Sequence, residues 1–152
     1  MRRASTRDIP ALITLMEAFY AESAYPLDHA AAQRGFAALM ADERLGQVWL
    51  IEEGAKIAGY AVLTFRFGME FGGLMAAVDD LYIAPQSRNK GLAKTALKEI
   101  RERCKAAGIT AITVEVSPNN APALAAYRHA GFTEAKDRQL LVVELSRPTH
   151  QG

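Results

Sequence analysis

One cysteine, Cys104, is present in 152 residues. That excludes an intrachain disulfide framework and suits a reducing cytoplasm. Charge imbalance is nearly absent: 18 basic residues against 17 acidic ones leave +1, which is not the footprint of a general nucleic-acid binder. Long apolar runs are missing too, since stretches such as residues 57–65 are far too short to cross a bilayer. Met1 to Asp8 carries arginines but no following hydrophobic core of a secretion signal. His29, His129 and His150 are scattered without metal-ligand spacing. There is no repeat, low-complexity tract or linker. What is present is ordinary: 50% hydrophobic and 23% charged residues, enough for one domain over residues 1–152 with a real core. The expectation is a soluble cytoplasmic protein with no metal and no nucleic-acid or membrane partner.

The pattern alternates helix and strand. Residues 1–6 suit a first short strand. Asp8 and Pro10 read as a helix cap and first turn, followed by Ile9, Leu12, Ile13, Met16, Phe19 and Tyr20 at helical spacing. Tyr25 to Asp28 breaks that helix, and Asp28 caps a second whose face holds Ala32, Phe36, Leu39 and Met40. Val48–Ile51 and Lys56–Phe67 around Glu53-Gly54 read as a hairpin. Gly68 to Gly73 is a glycine-rich connection to a strand over Met75–Ile83. A helix from about Gly91 presents Ala93, Leu97, Ile100, Cys104 and Ala107 on one side and stops at Gly108. Ala111–Val116 is the next strand, and the strand–helix–strand order makes it parallel to the previous one. Asn119 and Asn120 cap a short helix with Pro122 in its first turn, ended by Gly131. Two last strands, near Phe132–Ala135 and Leu140–Leu145, are expected to close the sheet, and the polar tail from Arg147 to fray.

Within this order Asp79 to Leu97 stands out. A strand runs into the polar loop Arg88-Asn89-Lys90-Gly91 and then a helix start. Free N–H groups, the positive end of the helix dipole and nearby cations make that point an anion site. A phosphate-bearing ligand follows. The three spaced glycines of a dinucleotide fingerprint are absent, and so is the Gly-Lys-Ser/Thr of a P-loop.

Arg88-x-x-Gly91-x-Ala93, together with Asn120, Ala123, Tyr127, Gly131 and Phe132, resembles the GNAT superfamily of N-acetyltransferases. The first set matches an Arg/Gln-x-x-Gly-x-Gly/Ala loop. The second fills every fixed place of Asn-x-x-Ala-x-x-x-Tyr-x-x-x-Gly-Phe. The likeness extends over roughly the whole chain, and the stretch around Phe67–Gly73 with Asp79-Asp80 is similar to polyamine- and diamine-type members. Asn89 stands where the family commonly has glycine, and asparagine tolerates the left-handed conformation that such a loop needs.

The resemblance implies an α/β fold: a mixed, mostly antiparallel sheet with a central parallel strand pair and helices on both faces. It implies acetyl-CoA as co-substrate, with no metal. The CoA diphosphate would rest on backbone N–H groups from Asn89, Lys90, Gly91, Leu92 and Ala93, beside Arg88 and Lys94. Leu81, Tyr82 and Ile83 would offer main-chain groups to the pantetheine arm, as would the Asn120 side chain. Tyr127 would donate to the CoA sulfur. Many relatives are homodimers, so a homodimer is admitted.

The chemistry also makes demands of its own. An alkylamine has a pKa near that of lysine, about 10.4, so a base must remove a proton before it attacks a thioester. Asp79 and Asp80, consecutive in a strand, should point to opposite faces. Asp79 lies where many relatives carry an acidic residue and is the first choice of base; Asp80 pairs structurally or contacts the substrate. Asp80 itself, Glu115 and water are the alternatives. Glu70, Tyr25 and Tyr20 are candidates for contact with a cationic acceptor, against a solvated loop charge for Glu70 and core packing for Tyr20. Cys104 reads as core. The expected function is acetyl transfer to a primary amine of a small molecule, polyamine- or amino-acid-like, by direct attack in a ternary complex. The alternatives are a protein or peptide N-acetyltransferase and a non-catalytic acyl-CoA-binding module, though a pure binder needs neither Tyr127 nor Asp79.

Overall fold

The computed structural model describes residues 1–145; the tail from Arg147, with His150, lies outside them. Five strands form one sheet in sequence order. They are β1 (Arg2–Arg3), β2 (Gly46–Glu53), β3 (Lys56–Gly68), β4 (Gly73–Ile83) and β5 (Ala111–Val114). The first three pairings are antiparallel, and β5 runs parallel to β4 over Met75–Val78. This is the mixed α/β sheet that the sequence pattern predicts.

Helices α1 (Ile9–Glu22) and α2 (His29–Ala41) cover one face. Leu12, Ala32 and Phe36 there pack against Val48, Leu50, Tyr60, Val62 and Tyr82 of the sheet. The opposite face carries α3 (Leu92–Ala106), whose Ile100 and Cys104 meet Trp49, Ala61, Leu63, Ala76 and Val78. The helix α4 (Ala121–His129) joins α3 through the Arg101 guanidinium, which donates to the Ala130 carbonyl at 2.6 Å.

Local chemistry sets most boundaries. Asp28 accepts from the Ala31 N–H at 2.9 Å and Asn120 from the Ala123 N–H at 3.2 Å, each filling one orphan donor of a helix start. Asp8 behaves otherwise. A 3-10 turn over Thr6–Asp8 precedes α1, and the Asp8 carboxylate reaches back to the Ser5 N–H at 2.8 Å and to Arg2. It therefore stabilises that turn instead of capping α1. Asn119 caps nothing; its N–H turns to the Ser117 hydroxyl.

The last two expected strands are not strands. Phe132–Ala135 and Leu140–Leu145 carry no ladder, and Leu141, Val143 and Leu145 are more than three-quarters exposed. Apolar β-branched sequence favours a strand only where a neighbour supplies the ladder and a face to bury. Here β5 is four residues long and half-buried, shorter than the expected Ala111–Val116.

Candidate active site

A register slip in β4 builds the site. Val62 pairs with Asp80, but Leu63 pairs with Val78, so Asp79 is the extra residue of a β-bulge. Ahead of it Ala76 and Val78 face α3; beyond it Leu81 and Ile83 do, while Tyr82 faces α1 and α2. Alternation thus skips one place, and Asp79 and Asp80 both turn toward α1 and α2. The expectation that they point to opposite faces fails for this reason. A bulge re-aims side chains that a regular strand would separate.

Both carboxylates line a cavity of about 670 Å³ between that face and the helix pair. Its walls are Met16 and Tyr20 of α1, Pro26 and Leu27 of the connection, Ala31, Ala32, Gly35, Phe36 and Leu39 of α2, and Val62 of β3. Tyr20, expected chiefly as core, is therefore a wall residue. Asp28 also lines it, at the start of α2.

Asp80 is 8% exposed and accepts from the Tyr60 hydroxyl at 2.8 Å. Burial pushes its carboxyl up to about 6; the Tyr60 bond opposes this and the Asp79 charge adds to it. The shift has the direction expected for a carboxylate taken out of water beside a like charge. Tyr60 is itself pushed far up by burial and by Asp80, and Tyr20 rises to about 12 through burial and both aspartates. Tyr127, half-buried on α4 and edge-on to Phe132 at 5.4 Å, is pushed up to about 12 by burial and then by the Asp80 charge. Its hydroxyl stays protonated at neutral pH.

On the other side of β4 an edge opens. Pairing with β5 ends at Val78–Val114, so among the described residues nothing pairs with residues 79–83 there. Next to this edge the α3 start packs Leu92 and Ala93 into one cluster with Leu81 and Ile83. Asn89 and Gly91 hold φ values of 61° and 77°, the left-handed region expected of this loop. No side chain caps α3, so its first N–H groups remain able to bind an anion. The loop is tied down from outside. Arg88 donates to the Ile83 carbonyl at 2.9 Å and to Glu22 at 2.6 Å, and lies 5.5 Å over the Tyr82 ring. Lys90 and Ser87 both donate to Glu53, at 2.7 and 2.9 Å, and hold its carboxyl below the usual range. Lys94 is exposed in the first turn of α3. Uncapped N–H groups, two left-handed residues and an unpaired strand edge suit an elongated diphosphate ligand such as CoA.

Other expected residues lie apart. Glu70 is ion-paired with Arg138 and does not line the cavity. Tyr25 is 68% exposed and does not line it either, although the neighbouring Pro26 and Leu27 do. Glu115 is exposed just past β5. The roles of Tyr60, Glu22 and Glu53 carry no sequence signal, because each acts on a partner at least 20 residues away.

The acetyltransferase (GNAT) family model matches residues 10–132. The chain belongs to that family, whose members use acetyl-CoA. Among solved structures it resembles an integron cassette protein from the mobile metagenome of Cole Harbour Salt Marsh, at 41% identity over 97% of this chain and 91% of the other, TM-score 0.86. It also resembles a "possible acetyltransferase" of Clostridium difficile 630, at 21% identity over 96% and 97% of the two chains, TM-score 0.85. A third likeness is to a "predicted acetyltransferase with acetyl-CoA" of Clostridium acetobutylicum, at 22% identity over 93% and 94%, TM-score 0.77. At this identity the last two establish the fold alone. No curated protein matches the sequence.

Proposed function

We propose that the protein is an acetyl-CoA-dependent N-acetyltransferase acting on the primary amine of a small molecule, by direct attack in a ternary complex. The observation that carries this reading is the bulged Asp79-Asp80 pair. It brings a carboxylate with a pKa of about 6 to the floor of a cavity of about 670 Å³, where the Tyr60 hydroxyl donates to it at 2.8 Å.

Each residue then has a task. The N–H groups of residues 89–94 hold the CoA diphosphate, Arg88 fixes the loop that presents them, and Lys94 adds positive charge. The main chain of Leu81, Tyr82 and Ile83 and the Asn120 amide take the pantetheine arm. Acetyl-CoA supplies the activated acyl carbon. Asp79 and Asp80 draw in the acceptor's ammonium group, and Asp80 accepts its proton. Asp80 suits this better than an ordinary aspartate, because it is still ionised at neutral pH yet closer in pKa to the amine. Tyr127 holds a proton at its hydroxyl, available to the departing thiolate.

The test is CoA thiol release with a panel of primary amines. Acetylated amine should form with wild type, and Tyr127→Phe should lower kcat by about 10²-fold or more. Undiminished turnover in Tyr127→Phe would remove it as the acid. CoA binding without turnover of any amine would favour a non-catalytic binder.

A further inference from the structure

The cavity that ends on Asp79 and Asp80 has a strongly one-sided lining. Met16, Leu27, Phe36, Leu39 and Val62 supply its walls, and among the described residues no lysine, arginine or histidine lines it. From these observations we infer that the acceptor is a lipophilic monoamine, an aryl- or alkyl-ethylamine with its ammonium on the Asp79-Asp80 pair and its apolar body between α1 and α2. This inference rests on the amine-acetylating reading above.

Three classes of amine are discriminated. An α-amino acid brings its own carboxylate against two aspartates with no cation to receive it, and like charges at that range repel. An aminoglycoside brings hydroxyl groups that Met16, Phe36 and Leu39 cannot satisfy, and an unbonded buried polar group is costly. A linear diamine leaves its second ammonium among the same apolar side chains unless it reaches the Asp28 carboxylate, one oxygen of which accepts from the Ala31 N–H at the start of α2. A phenyl or short alkyl body removes apolar surface from water, which is worth a factor of roughly ten to a hundred in binding.

Gly35 offers a direct probe. It sits on the α2 stripe of Ala31 and Leu39, one helical turn from each, and all three line the cavity. A Cβ built on Gly35 meets no atom within 4 Å, so a side chain there has room to grow. Inside a helix a glycine is also less favourable than most residues. Gly35→Leu should therefore raise the melting temperature while filling the space meant for the acceptor's body.

The experiment titrates 2-phenylethylamine, putrescine and phenylalanine into the full chain with CoA present, by calorimetry, and then measures kcat/KM for each with acetyl-CoA. The expected result is that 2-phenylethylamine binds, and is acetylated, at least tenfold better than either competitor. Gly35→Leu should lower kcat/KM for 2-phenylethylamine at least tenfold, mainly through KM, and ethylamine much less. Ala31→Leu, on the same stripe, should act in the same direction. Preference for putrescine would make Asp28 a second anion site and overturn the inference, as would preference for phenylalanine or unchanged kcat/KM in both variants. In those cases the acetyltransferase reading survives. If 2-phenylethylamine binds with these preferences but no amine is acetylated, the cavity's preference for a lipophilic monoamine stands while its role as an acceptor site falls with the acetyltransferase reading.

Discussion

Burial holds the Asp80 carboxyl at about 6 against an ordinary value of 3.8, so the folded chain binds that proton more tightly than the unfolded one. The resulting contribution to stability is complete below about pH 4 and is lost as the pH rises through about 6. The interval from 3.8 to about 6 corresponds to roughly 3 kcal/mol as an upper figure. Asn cannot ionise but keeps an acceptor for the Tyr60 hydroxyl. Asp80→Asn should therefore be more stable than wild type at pH 8, by roughly 1–3 kcal/mol, and indistinguishable near pH 4. Thermal melts at the two pH values check this, and equal gains at both would show that the carboxylate is not buried at a cost. The Tyr60 hydroxyl lowers the Asp80 value, so Tyr60→Phe should move the acidic limb of the activity profile upward.

At the scale of elements, the loop before α3 depends on two left-handed residues. Gly91→Ala places a Cβ where φ is 77° but touches nothing within 4 Å. Its effect is backbone strain alone, about 1–2 kcal/mol, and weaker CoA binding should accompany the lower melting temperature. Asn89→Gly should keep both near wild type. Loss of CoA binding in Asn89→Gly would mean that the asparagine side chain has a role beyond conformation. Features of this kind were legible in the sequence because they are local: a cap at Asn120, a turn at Gly54, a loop that needs positive φ. The bulge at Asp79 was not legible, since its register depends on where β3 and β5 let β4 pair. The strands expected at Phe132–Ala135 and Leu140–Leu145 failed likewise, because apolar alternation predicts a strand without saying whether a partner is at hand.

Across the whole molecule, the two proposed ligand sites approach the bulge from different sides. The cavity proposed for the acceptor opens between α1 and α2, whereas the α3 start and the unpaired edge of β4 are the proposed cofactor site. The only cysteine, Cys104, is packed between α3 and the sheet, where burial pushes its thiol up. It does not line the cavity. Such a layout favours transfer with both ligands bound, without an acyl-enzyme. Initial-rate lines should intersect when both substrates are varied, and Cys104→Ala should retain the acetylating activity. Parallel lines would indicate a covalent intermediate.

The central claim is that Asp80 accepts the acceptor's proton within this cavity. Its most direct test is the pH dependence of kcat/KM for 2-phenylethylamine with saturating acetyl-CoA, in wild type and Asp80→Asn. Wild type should rise through an apparent pKa of about 6 to a plateau, and the variant should lose that limb and fall by about 10²-fold or more at pH 8. The same limb and a similar rate in the variant would contradict the account.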